Sequence, residues 1–111
     1  MTISEVGNNQ KKVTFVGRLD TPGVQTVETR FVASLVPAGH HAIIDLSQVE
    51  FIGSLGVRMF ISAARSLSRK GAKLVLFGAQ DQVLEVFTNV SLQDIIPIVD
   101  SEAEAKAALP A

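Results

Sequence analysis

The 111-residue sequence contains no cysteine, no tryptophan and no tyrosine. Without cysteine, the chain cannot form a disulfide, use a thiol nucleophile or bind a metal through thiolates. All six aromatic residues are phenylalanine and the net charge is -1, so we expect no nucleic-acid partner. The N-terminus has no signal-peptide pattern, and no apolar run is long enough for membrane insertion. We therefore expect a single cytoplasmic globular domain over residues 1–111.

Short apolar runs alternate with longer amphipathic ones, which predicts alternating strands and helices. The predicted strands are Thr2 to Val6, Val13 to Leu19, Ala42 to Leu46, Lys73 to Phe77 and Ile95 to Val99. The predicted helix caps are Thr21, Ser54, Asp81 and Ser101. The order β-β-α-β-α-β-α-β-α is typical of an α/β fold with a mixed, mostly parallel sheet of about five strands and about four helices. The helices are expected to cover mainly one face of that sheet.

The residues that could support catalysis are few and have simpler interpretations. His40 and His41 lack a third ligand at a matching spacing, so we interpret them as surface-loop residues and predict no metal site. Asp45 and Glu50 could form a carboxylate pair, but Asp45 can equally bond the neighbouring loop. No glycine-rich segment matches a phosphate-binding loop. We expect no catalytic residue and no cofactor, and hence a protein that is not an enzyme.

Ser54 occupies the turn that leads into the longest predicted helix. Its simplest role is to cap that helix, which contributes roughly 1 kcal/mol. A second role uses the same position, because a helix N-terminus offers free N–H groups and a positive dipole end. A phosphoryl group attached to Ser54 would be tolerated there by the fold.

The segment from about Val13 to Val99 resembles the STAS domain family, the anti-sigma factor antagonists and related domains of sulphate transporters. The resemblance depends on four segments: Ile44-Asp-Leu, Val49-Glu-Phe-Ile, Ser54 with Gly56 two positions on, and Gly71-Ala-Lys-Leu-Val-Leu. It implies the STAS fold, and a loop whose serine is phosphorylated by a cognate anti-sigma-type kinase.

Carried over position by position, the resemblance makes Ser54 the phosphoacceptor and Gly56 the glycine that follows it. Asp20, after Gly17-Arg-Leu, matches an acidic residue expected near the serine loop, although it could equally cap the first helix. Two positions depart from the pattern. Gly53 replaces the usual aspartate, and Leu55 replaces the second hydroxyl residue.

Leu55 and Met59 lie four residues apart on the same helix, with Arg58 between them. They could pack against a neighbouring helix, or they could form an exposed apolar patch for a partner, which is the interpretation we favour. The predicted partner-binding residues are Asp20, Gly53, Ser54, Leu55, Gly56, Arg58 and Met59.

The resemblance implies a bacterial anti-sigma factor antagonist in a partner-switching pathway. Its partners would be an anti-sigma factor acting as a serine protein kinase and a serine phosphatase, and phosphorylation of Ser54 would switch its binding off. The alternative is a non-phosphorylated STAS docking subunit of an ABC lipid transporter or signalling scaffold, which Gly53 and Leu55 fit better. A sensor that binds an anion at the Ser54 helix is a third possibility, weakened because the loop contains no lysine or arginine.

Overall fold

The first two strands of the protein form an antiparallel hairpin. The computed structural model describes residues 1–110, in which β1 spans Thr2–Gly7 and β2 spans Gln10–Leu19. Asn9, in the turn, has a φ of 56°, a left-handed conformation that asparagine adopts more readily than most residues. The two predicted strands are confirmed, although β2 begins at Gln10 rather than at Val13.

The remaining helices and strands follow in the predicted order. They are α1 (Thr21–Leu35), β3 (His41–Ile52), α2 (Ser54–Arg69), β4 (Leu74–Phe77), α3 (Asp81–Asn89), a 3-10 turn (Leu92–Asp94), β5 (Ile98–Val99) and α4 (Glu102–Ala108). The strands lie in the order β1-β2-β3-β4-β5, and every pair except β1–β2 is parallel. Within residues 1–110, the predicted five-stranded mixed sheet with four helices is confirmed.

β3 is much longer than the predicted strand Ala42 to Leu46. It continues to Ile52, and two shifts in its register with β2 each leave one extra residue on β3. Such bulges bend a strand and re-aim its side chains. They allow Val49 and Ile52 to remain buried although their spacing breaks the two-residue period. β3 therefore carries the chain directly to Gly53, where the predicted tight turn begins.

Three of the four helices pack on one face of the sheet, as expected. The main core contains the phenylalanines Phe15, Phe31 and Phe60, whose rings meet edge to face with centroids 5.4 to 6.0 Å apart. Such aromatic pairs add stabilisation beyond the apolar area that they bury. α3 adds Val83 and Phe87 to the same core.

The fourth helix covers the opposite face of the sheet. Ala105, on α4, and Leu109, which follows it, pack with Ile43, Val75 and Phe77 in a second, smaller cluster. An ion pair fastens α4 to the sheet, since Lys12 Nζ lies 2.7 Å from Glu102 Oε1. The hydrogen bond from Lys12 to Glu102 raises the pKa of Lys12 above its ordinary value.

Helix starts differ from the predictions at two positions outside the Ser54 turn. Asp20, not Thr21, caps α1. At α3 the N-cap is Gln80, and Asp81 is the first helical residue, where its charge suits the helix dipole. The predicted cap Ser101 is confirmed, because its Oγ accepts a hydrogen bond from the N–H of Glu104 at 3.1 Å.

The predicted last strand, Ile95 to Val99, is wrong at its beginning. The N–H groups of Ile95 and Ile96 both donate to the carbonyl oxygen of Leu92 in the 3-10 turn. Because these amides are already bonded, the chain pairs with β4 only at Ile98–Val99.

Candidate functional site

The carboxyl ends of β2 and β3 meet at one edge of the sheet. Leu19 pairs with Ile52 in register, and the N–H of Gly53 donates to the carbonyl oxygen of Leu19 at 3.0 Å. Asp20 directly follows Leu19, and Ser54 directly follows Gly53. Asp20 and Ser54 therefore leave neighbouring strands at the same edge, as the resemblance implied.

Ser54 is not the cap of α2, and that interpretation is wrong. Gly53 holds the N-cap position with extended backbone angles, φ -101° and ψ -177°. Ser54 is the first helical residue, it is exposed, and no side chain caps α2. The Ser54 hydroxyl therefore does not cap α2, which is the structural role that the sequence suggested for it.

Gly53 and Gly56 differ in the space around them. A Cβ at Gly53 would make only ordinary contacts, the nearest being a ring carbon of Phe51 at 3.6 Å. A Cβ at Gly56 would lie 2.7 Å from Cγ1 of Ile52 and 3.1 Å from the carbonyl oxygen of Leu19. Gly56 is thus required for the close approach of α2 to both strands, whereas Gly53 is not required by its surroundings.

Asp20 is fixed by α1. Its Oδ1 accepts a hydrogen bond from the N–H of Gly23 at 3.0 Å, which is the geometry of an N-cap. This bond, helped by the guanidinium of Arg18, lowers the pKa of Asp20 below its ordinary value of 3.8. Of the two roles left open by the sequence, helix capping is confirmed, and Asp20 also lies at the edge that carries Ser54.

Arg18 and Phe51 extend this edge, and the sequence analysis missed both. Arg18 pairs with Phe51 in register, and its guanidinium carbon lies 4.4 Å from the centroid of the Phe51 ring. Its Nε lies 3.2 Å from Asp20 Oδ2. Phe51 is 39% exposed and Val16, two residues before Arg18, is 65% exposed. Only the bulged pairing of β2 with β3 brings Arg18 to Phe51, so no local pattern could have found them.

The predicted apolar patch on α2 is wrong for Met59. Met59 is 1% exposed and belongs to the main core, where it lies with residues of both α1 and the sheet. Leu55 is half-buried against the same core, and Gly56 is buried. Met59 and Gly56 therefore offer no surface to a partner. Arg58 is exposed one helical turn after Ser54, so these two share a face of α2.

A sequence model described as "STAS domain" matches residues 3–105 of this chain. The chain belongs to the STAS domain family. It is similar to the anti-sigma-B factor antagonist of Listeria monocytogenes, at 30% identity over 92% of this chain and 90% of that protein.

Two solved structures show the same STAS fold. An anti-sigma factor antagonist from Mycobacterium paratuberculosis superposes with a TM-score of 0.84 at 20% identity, over 97% of this chain and 92% of its own. The Bacillus cell fate determinant SpoIIAA in its phosphorylated form gives a TM-score of 0.72 at 18% identity, covering 96% of each chain.

Structural partners exist for three of the remaining polar candidates in this STAS domain, namely His40, His41 and Asp45. His41 Nδ1 accepts the N–H of Lys73 at 3.0 Å, and His40 Nδ1 lies 2.6 Å from Asn9 Oδ1. Asp45 Oδ1 accepts from both the N–H and the hydroxyl of Ser47, which is the loop-bonding role that we considered. Within residues 1–110, no three histidine or carboxylate side chains are grouped as metal ligands, and no helix is long and apolar enough to cross a membrane.

Proposed function

We propose that this STAS domain is an anti-sigma factor antagonist whose binding to an anti-sigma-type serine kinase is switched off by phosphorylation of Ser54. The similarity to the Listeria anti-sigma-B factor antagonist supports the pathway. One observation carries the choice of residue: Ser54 is an exposed hydroxyl at the N-terminus of α2, and it caps nothing there. The reaction would take place in the cytoplasm, where a kinase of this kind finds ATP.

The surroundings of Ser54 suit a phosphoryl group. The first turn of α2 contains no acidic residue, and its N–H groups are not bonded by a capping side chain. A phosphoserine carries a charge of roughly -1.5 to -2, which the positive end of the helix dipole stabilises. Phosphorylation is therefore expected to leave the fold intact and to change only the surface.

In the proposed reaction this chain supplies only the acceptor hydroxyl. Ser54 Oγ attacks the γ-phosphorus of ATP, the bond between that phosphorus and the β–γ bridging oxygen breaks, and ADP leaves. The hydroxyl proton passes to a base of the kinase, which also supplies the metal ion. The domain is thus a substrate and a ligand rather than an enzyme, and a serine phosphatase would reverse the modification by hydrolysis.

The switch acts because the new charge enters an interface fitted to a neutral hydroxyl. We place Asp20, Gly53, Ser54, Leu55 and Arg58 in that interface, and add Phe51 from the same edge. Each 1.4 kcal/mol of desolvation or repulsion weakens binding about tenfold. A penalty of about 3 kcal/mol from the phosphoryl group would weaken binding about a hundredfold, which is enough to release the partner.

Calorimetric titration with the anti-sigma-type kinase of the same genome tests this proposal. Ser54→Ala should bind as tightly as the wild type, and Ser54→Asp should bind at least about tenfold more weakly. Ser68→Asp is the matched control, because Ser68 is exposed in the last turn of the same helix, about 21 Å along the axis from Ser54, and it should bind within about twofold of the wild type. Equal binding by Ser54→Asp and the wild type would refute the switch.

A second candidate is a docking subunit of a transporter or signalling scaffold, in which Ser54 stays unmodified. Gly53 favours it, since no carboxylate precedes Ser54, and so does Leu55, which packs on the core and presents no second hydroxyl. Co-purification of this protein with an ABC permease and its ATPase, without a kinase, would support this candidate over the first.

A further inference from the structure

We propose that Arg18 is a positioning residue that holds the Ser54 loop against the start of α1. The inference deepens the proposed function, since the placement of the Ser54 hydroxyl matters most if a kinase must reach it. It depends on one group of contacts, the clamp formed by Arg18, Asp20 and Phe51.

The guanidinium of Arg18 contacts two side chains at once. It lies 4.4 Å from the centroid of the Phe51 ring, and its Nε lies 3.2 Å from Asp20 Oδ2. A planar guanidinium can stack on a ring and bond a carboxylate in the same position, whereas a lysine ammonium is a compact point charge. The residue type therefore matters here as well as its charge.

Each side of the clamp is connected to a different loop. Asp20 is fixed to α1 through the N–H of Gly23, and a Cβ at Gly23 would collide with the carbonyl oxygen of Arg18. Phe51 lies on the other side, with a ring carbon 3.6 Å from where a Cβ of residue 53 would stand. Arg18 thus joins the first turn of α1 to the residues that lead into Ser54.

The side-chain clamp reinforces a single backbone contact. The hydrogen bond from the N–H of Gly53 to the carbonyl oxygen of Leu19 connects the same two loops. Gly53 has no side chain with which to fix its own position, and no side chain caps α2. Because the Arg18 side chain is 56% exposed, each of its contacts is individually weak. We therefore expect Arg18 to hold the Ser54 loop locally and to contribute little to the global free energy of unfolding.

Amide hydrogen exchange of the isolated protein tests the clamp directly. In Arg18→Gln, the Gly53 amide should exchange on the order of three- to tenfold faster, while the amides of Val75 and Leu76 in β4 keep their rates. Arg18→Lys should fall between Arg18→Gln and the wild type. Arg65→Gln, an exposed arginine elsewhere on α2, is the control and should match the wild type. An unchanged Gly53 rate in Arg18→Gln overturns the inference.

Phosphorylation kinetics with the same anti-sigma-type kinase separate positioning from direct contact. A positioning role predicts that Arg18→Gln lowers kcat about tenfold and leaves KM within about twofold. A raised KM with unchanged kcat would mean that Arg18 contacts the kinase, and would contradict the inference. If Ser54 is never phosphorylated but Gly53 exchange still rises in Arg18→Gln, the proposed function fails and the clamp stands.

Discussion

At the scale of single residues, Gly53 and Gly56 have opposite requirements although they lie in the same turn. Gly56 is needed because two strands pass too close for a Cβ, whereas Gly53 has ordinary extended angles and open surroundings. The sequence indicates two glycines around Ser54 but not this difference, which depends on Ile52 and Leu19.

Replacing Gly53 with aspartate is predicted to stabilise the protein. The new carboxylate can cap α2 and interact with its dipole, which should raise the free energy of unfolding by about 0.5 to 1 kcal/mol. Gly56→Ala is the matched control and should lower it by about 1 to 3 kcal/mol, since its Cβ would overlap Ile52. Urea denaturation measures both, and a destabilised Gly53→Asp would show that residue 53 cannot accept a side chain.

Asp20 is predicted to stabilise α1 in a pH-dependent way. Because its pKa in the folded protein lies below the ordinary 3.8, its contribution is complete above that pH and declines as the pH falls through the lower folded value. Asp20→Ala should therefore lower the melting temperature at pH 7 and change it less at an acid pH below the folded pKa of Asp20.

Thr21→Ala provides the comparison for Asp20→Ala, because Thr21 is the neighbouring residue that the sequence suggests as the cap. Thermal melts followed by circular dichroism should find Thr21→Ala close to the wild type at both pH values. A larger loss in Thr21→Ala than in Asp20→Ala would contradict the capping contact between Asp20 and Gly23.

At the scale of helices and strands, α2 and β3 show where periodicity succeeds and where it fails. α2 is the longest helix in residues 1–110, as the sequence predicts. Its buried face is wider than one apolar stripe, because α2 packs against α1 as well as the sheet, and Met59 lies in that wider face. The sequence does not show where β3 ends, because two bulges interrupt the alternation of buried and exposed residues along the strand. The wider buried face of α2 and the late end of β3 both result from tertiary packing, which a local sequence pattern does not contain.

Met59 and Arg58 are predicted to differ sharply when each is replaced by alanine. Met59→Ala removes a fully buried side chain and should lower the free energy of unfolding by about 2 to 5 kcal/mol. Arg58→Ala removes an exposed one and should change it by less than about 0.5 kcal/mol while weakening partner binding. Guanidinium denaturation and kinase titration measure the two effects. If Met59→Ala is as stable as the wild type but binds weakly, Met59 belongs to the interface after all.

At the scale of the whole molecule, the order of strands and helices along the chain and the parallel direction of most strands follow from the sequence, but the two-sided core does not. Alternating strands and helices predict a mostly parallel sheet because of the rules for crossovers. The small residues of α4 do not reveal that it crosses to the other face and covers Ile43, Val75 and Phe77. The candidate site likewise contains residues that the sequence predicts and residues that only the structure reveals. The family pattern indicates Asp20 and Ser54, whereas Arg18 and Phe51 emerge only from the register of β2 with β3.

The most direct measurement is to locate phosphate on the chain after incubation with the anti-sigma-type kinase and ATP. Trypsin should release residues 31–58 as one peptide that contains Ser34, Ser47 and Ser54, so fragmentation spectra are needed to assign the site. We predict one added phosphoryl group, on Ser54, and none on the Ser54→Ala variant. A kinase that binds this protein but leaves Ser54 unmodified, or modifies Ser34 or Ser47 instead, would contradict the account.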